Sequence, residues 1–232
     1  SCQDTSDFAL FVLPRQPDTH RPTRVILAAE RDPGKAQVVI EDAQGEPVSG
    51  GDKVALGGPP WGLIRTLTLP VGSYTARFQT PDGGESCRHF DVRRKGGAAV
   101  RRRVGQDPIW EVRNRWGRAT ENLYSLWIEA LFDAPIGAEP TWRPLHVALR
   151  DESKNWLFNY LNLGEETKLT LKPDCADFPV VLRGYFAWKF GLPFAYRPCT
   201  QGTQDRAPTC GDPGSHLRFA EKATRTHAFE KF

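Results

Sequence analysis

The residue types best suited to covalent chemistry lie in residues 173–198, where Asp174-Cys175-Ala176-Asp177 opens an apolar run that closes on Phe190-Gly191-Leu192-Pro193. The pattern predicts a helix from about Cys175 to Phe190. Pro179 falls in its first turn, where a missing N–H is tolerated, and Gly191 supplies a left-handed C-cap. Cys175 then stands at a helix N-terminus, where unpaired N–H groups and the positive end of the dipole favour a thiolate, the attacking form of cysteine. A plainer reading makes Cys175 a buried, inert cysteine at the start of a core helix. Asp174 and Asp177 are candidates for substrate binding, with helix capping and dipole compensation as the alternative roles. The aromatic residues Phe178, Tyr185, Phe186, Trp188 and Phe190 read mainly as core, with Trp188 the candidate to line a substrate groove.

A nucleophilic cysteine needs a general base, and only His216 and His227 follow Cys175. His216, in Ser215-His216-Leu217-Arg218-Phe219, is the candidate, on what reads as a short strand. His227 falls in a polar helical stretch, and His146 fits only a permuted order. The other cysteines read as disulfides. Cys199 and Cys210 bracket a short polar loop, and Cys2 and Cys87 lie at the two ends of the first module. Cys2 as a lipid acceptor after a removed signal is the alternative. Zinc at Cys199, Cys210 and His216 is set aside because the eleven-residue spacing suits a disulfide better. With no phosphate-binding glycine loop, zinc-protease helix or Gly-x-Ser-x-Gly elbow in the sequence, neither a metal nor a cofactor is expected.

The segment resembles the active-site helix of the papain-like superfamily, over about 25 of the 232 residues. Cys175, Arg183 and Gly191-Leu192-Pro193 are similar to the transglutaminase-like branch. Asp174-Cys175-Ala176 and the Gly and Leu-Pro ending are similar to NlpC-type cell-wall peptidases. The resemblance implies that Cys175 is the nucleophile and that its own N–H helps to hold the oxyanion. It also implies a histidine from a following β-sheet with a polar orienting residue. The sequence departs from the pattern here, since no Asp or Asn follows His216 at a matching place. The expectation is therefore an α+β papain-like domain cut off before its sheet is complete.

The elements around this helix fall into two modules. Residues 1–95 read as short strands at Asp7–Leu13, Thr23–Ala29, Ala36–Glu41, Arg65–Leu69, Ser73–Gln79 and Ser86–Arg93, separated by turn clusters rich in Gly, Pro and Asp. That pattern predicts an all-β antiparallel sandwich. Leu69 to Phe78 resembles the penultimate strand of immunoglobulin-like accessory modules of bacterial surface proteins. Residues 96–108 form a basic linker, and Arg88 to Arg118 holds ten Lys or Arg against three acidic residues. A solvated edge accounts for that excess, so no nucleic-acid partner is expected. Residues 109–232 are expected to form the papain-like hydrolase module, its helical half. One helix there begins near Thr120 as N-cap, carries Leu123, Leu126, Trp127, Ala130 and Leu131 on one face, and ends at Pro135. A second helix is predicted over Ser153–Leu161, stopped by Gly164.

The whole-chain numbers fit this division. The 232 residues are 39% hydrophobic and 25% charged, with a net charge of +3, an ordinary globular balance. No apolar run approaches the roughly 18–20 residues of a membrane-spanning helix. Methionine is absent, so the chain reads as a processed or truncated piece. The expectation is an exported, periplasmic or envelope protein of bacterial type. It would be a thiol-dependent peptidase or amidase acting on peptidoglycan stem peptide or protein amides. The alternative is a non-catalytic envelope binding protein that keeps the papain-like helix as scaffold.

Overall fold

The computed structural model describes residues 4–5, 7–80, 82–94, 110–138, 144–197, 199–212 and 214–215. Seven strands precede the first helix: β1 (Phe8–Leu13), β2 (Thr23–Ala29), β3 (Val39–Glu41), β4 (Asp52–Leu56), β5 (Trp61–Leu67), β6 (Gly72–Gln79) and β7 (Glu85–Val92). They form a β-sandwich of two antiparallel sheets, one in the order β1-β2-β5-β4 and the other β3-β6-β7. Numbered A to G along the chain, this is the A-B-E-D and C-F-G arrangement of immunoglobulin constant-type sandwiches. Tyr74, at the start of β6, donates its Oη–H to the Pro70 carbonyl at 3.1 Å, the tyrosine corner that pins the E–F crossing in such sandwiches.

Strand alternation decides which side chains meet between the sheets. Phe8 and Leu10 on β1, Val25 and Leu27 on β2, Leu67 on β5, Ile40 on β3 and Ala76 and Phe78 on β6 form one buried cluster. Each large apolar side chain removed from water there contributes about 1.5–3 kcal/mol. Arg65 interrupts the apolar series on β5. It is 6% exposed and donates to the carbonyls of Val48 and Gly50, so it ties the loop before β4 to the sheet interior. Burial holds its guanidinium below its ordinary pKa.

Strands β2 and β5 of the four-stranded sheet are covered on their other face as well. α1 (Arg118–Phe132) packs there, with Leu126 so close to Gly62 that a Cβ at that position would stand 3.1 Å from the leucine Cδ2. The compact unit built on the sandwich accordingly takes in residues 117–141 and 148–166 along with 1–100. The helix starts three residues before the predicted position. Gly117 is the extended N-cap, and Thr120, at N3, exchanges hydrogen bonds with the Gly117 backbone through Oγ1.

The helix predicted over Ser153–Leu161 is replaced by consecutive turns. The cause is side-chain competition for backbone donors. The Asn155 amide oxygen takes Leu157 N–H, the Glu166 carboxylate takes Asn159 N–H, and the Glu165 carboxylate takes Leu161 and Leu163 N–H. Asn155 also accepts the Trp127 indole N–H at 3.0 Å and donates to the Leu149 carbonyl at 2.7 Å, all out of contact with water. The short helix α2 (Leu145–Leu149) and strand β4 were not anticipated.

The second compact unit comprises 101–116, 142–147 and 167–232. Its centre is α3 (Phe178–Phe190), followed by a two-stranded ribbon of β8 (Ala195–Tyr196) and β9 (Gly214–Ser215). No described helix is long and apolar enough to cross a membrane.

Candidate functional site

The regular helix begins at Phe178, later than the predicted Cys175, yet its hydrogen bonding begins earlier. Phe178 N–H donates to the Asp174 carbonyl at 3.0 Å, the first i to i−4 bond, and Val181 N–H donates to the Asp177 carbonyl at 2.9 Å. Asp174 therefore acts as the effective N-cap. Its Oδ1 accepts the amide protons of Ala176 and Asp177, both at 2.9 Å. Cys175 occupies the first position of this capped turn. Its side chain is exposed, and the thiol is free. The expectation of a buried Cys175 does not hold, since its side chain is exposed.

These bonds determine what the helix start offers a ligand. The first-turn N–H groups are the donors a helix N-terminus turns toward an anion. Two of them, those of Ala176 and Asp177, are already taken by a carboxylate of the same chain. No described side chain hydrogen-bonds the Cys175 thiol. His216 and His227 lie outside the described residues. His146 is occupied elsewhere: its Nδ1 accepts Leu171 N–H at 3.1 Å. Trp188, the predicted groove residue, lies thirteen positions after Cys175, roughly 20 Å along the axis at 1.5 Å per residue. It is half-buried, edge-on to Tyr185 and 5.0 Å from the Lys189 ammonium.

The other end of α3 is closed as thoroughly. Gly191 takes the left-handed C-cap conformation, with φ of 61°, and Leu192 N–H returns to the Ala187 carbonyl. Residues 110–116 then cover the carbonyls beyond the last turn. Arg113 and Asn114 donate their backbone N–H to the Gly191 carbonyl, and the Asn114 side chain donates to the Phe190 carbonyl at 2.6 Å. The indoles of Trp110 and Trp116 donate to the carbonyls of Leu192 and Pro193, each at 2.8 Å. Arg183 stacks on the Trp116 ring at 3.5 Å, and that ring also stacks with Phe186. The sequence holds the signal for this clamp in the Trp110 and Trp116 pair, which the reading of the basic stretch passed over.

The disulfide expectation for Cys199–Cys210 is met. Cys87 is disulfide-bonded, and Cys2 lies outside the described residues. No group of His, Cys, Asp and Glu able to hold a metal occurs among the described residues. On the sandwich, a groove of about 730 Å³ runs between the 32–37 loop and the side chains of Val39, Glu41, Arg77 and Glu85. Within it Arg77 bridges Glu41 at 2.7 Å and Glu85 at 2.9 Å, and these bonds hold its guanidinium above the ordinary range.

By its strand order and tyrosine corner the first unit is an immunoglobulin-type β-sandwich. No protein-family model matches the chain, and no curated protein matches it in sequence. Similar solved structures include CopC from Methylosinus trichosporium OB3b, 22% identical over 38% of this chain and 98% of that one, with a TM-score of 0.26. Titin M4 (trigonal form) is 18% identical over 39% of this chain and 100% of its own, with a TM-score of 0.25. The lipoprotein from Bacteroides thetaiotaomicron is 12% identical over 46% of this chain and 95% of its own, also at 0.25.

Proposed function

We propose that this chain is an exported, non-catalytic interaction protein in which the papain-like helix serves as scaffold. The observation that carries this reading is the Asp174 cap: its carboxylate holds the amides of Ala176 and Asp177 beside an exposed thiol. Around Cys175, the residues that give the segment its enzyme-like look have structural tasks. Asp174 closes the start, Pro179 fits the first turn, Gly191 makes the C-cap, and Arg183 stacks on Trp116. Disulfides at Cys87 and Cys199–Cys210 support an oxidising compartment, periplasm or envelope, because cytosolic thiols are kept reduced.

The thiol-hydrolase reading is the second, and one observation favours it: Cys175 is exposed and unbonded, while Cys87, Cys199 and Cys210 are committed to disulfides. In it Cys175 attacks an amide carbonyl of cell-wall peptide or protein, and a histidine takes the thiol proton. Alkylation by iodoacetamide at pH 6.5 separates the two, with the urea-unfolded chain as reference. A scaffold cysteine reacts no faster in the folded chain than in the unfolded one. A rate more than about tenfold faster in the folded chain, the mark of a poised thiolate, overturns the scaffold reading in favour of the hydrolase.

A further inference from the structure

Between β8 and β9 the chain makes a hairpin that buries nothing. Every residue from Cys199 to Cys210 is exposed. Its ties among the described residues are internal: Thr200 N–H to the Thr209 carbonyl at 2.8 Å, Thr203 and Arg206 exchanging backbone bonds, and the Thr200 and Thr209 hydroxyls 3.0 Å apart. A two-stranded hairpin without an apolar face is marginal in water, because its backbone bonds merely replace bonds to solvent. Beyond the two-residue β8–β9 pairing at its base, the constraint on the hairpin is the disulfide joining Cys199 to Cys210 across the strands, eleven residues apart. Closing a loop of that length shifts the balance toward the ordered hairpin by about a hundredfold in the chain-entropy model.

Accessibility makes the staple selective. Cys199 and Cys210 are both exposed, whereas Cys87 is 5% exposed within β7. A thiolate must reach a sulfur in line to exchange with it, and both residues of the hairpin disulfide are open to a small thiol.

We propose that the 199–210 hairpin is a redox-conditional element, ordered when Cys199–Cys210 is oxidised and locally unfolded when it is reduced, while the sandwich and α3 stay folded. The step balances with a thiol such as glutathione as reductant. Its thiolate attacks one sulfur, the S–S bond breaks, and the other cysteine leaves as thiolate. A second glutathione thiolate then resolves the mixed disulfide. The protein gains two electrons and two protons, and the glutathione leaves as its disulfide. The structural consequence is an order–disorder transition confined to one segment.

The test uses the full chain carrying Cys175→Ser, so that no free thiol reshuffles the bridge, with and without the further pair Cys199→Ser and Cys210→Ser. Amide hydrogen exchange is read across 199–210 and α3, with trypsin cleavage after Arg206 as a second readout. The stapled chain is expected to protect the hairpin amides at least about tenfold more than the serine pair does, with protection of α3 and the sandwich unchanged. Titration with glutathione is expected to make Cys199 and Cys210 alkylatable before Cys87. Equal hairpin exchange in the two chains, whether protected or unprotected, overturns the proposal. So does loss of protection throughout α3 in the serine pair, or release of Cys87 as early as the hairpin cysteines.

Discussion

At Gly191 two constraints meet. The backbone sits at φ of 61°, and a Cβ there would stand 2.9 Å from the Glu111 carbonyl oxygen. An alanine must therefore adopt the left-handed region and also push away the 110–116 segment that caps α3. Gly191→Ala is expected to cost about 1–3 kcal/mol, read as a lower urea midpoint. Asp174→Ala removes the acceptor for two first-turn amides and is expected to cost about 1 kcal/mol. Asp174→Asn keeps the oxygen and should recover most of that loss, which separates capping from any effect of charge. Both roles were legible in the sequence, because caps are local: an Asp before an apolar run and a Gly after it suffice to place them. What surrounds Gly191 was not legible, since Glu111 lies eighty positions away and no local pattern announces it. The exposure of Cys175 was equally hidden, because it depends on which neighbours cover the turn.

Elements defined by alternation emerged from the sequence, and elements defined by competition did not. Ser73–Gln79 is read correctly because Tyr74, Ala76 and Phe78 share the buried face and alternate with Thr75, Arg77 and Gln79. β4 was missed because Asp52–Leu56 is almost wholly exposed and shows no half-buried pattern. The Ser153–Leu161 segment failed for a different reason. Its apolar spacing is helical, but Asn155, Glu165 and Glu166 draw the amides of 157 to 163 into turns. Asn155 is the hub of this arrangement. Asn155→Ala strips the partner from the buried Trp127 indole and from the Leu149 carbonyl, and no water takes their place. The expected cost is about 2–4 kcal/mol, measured by chemical denaturation, and Trp127 fluorescence should report the loosened packing. Asn155→Asp should cost as much or more, because it puts a charge where only a neutral amide can serve both groups.

For the molecule as a whole, the sharpest expectation concerns alkaline pH. Tyr160 is 8% exposed, and burial pushes its phenol from an ordinary 10.0 up to about 12, with Arg15 opposing part of the shift. The neutral phenol is thus favoured in the folded chain. Below pH 10 both states hold the proton, and the full stabilisation is present. Between pH 10 and 12 the unfolded chain has released the proton and the folded chain has not, so stability falls as pH rises through that window. A two-unit difference corresponds to about 2–3 kcal/mol. Tyr160→Phe keeps the ring and removes the titration. The wild-type chain should therefore lose about that much relative to the variant between pH 9.5 and 12 in urea denaturation, with the two curves parallel below pH 9.5. Tyrosinate absorbance supplies the independent reading, since the late-ionising contribution of Tyr160 in the folded wild-type chain should be missing in the variant. Parallel curves across the whole range would mean that Tyr160 meets water in solution. The turn-rich 148–166 segment, which belongs to the sandwich unit, would then open without the strands.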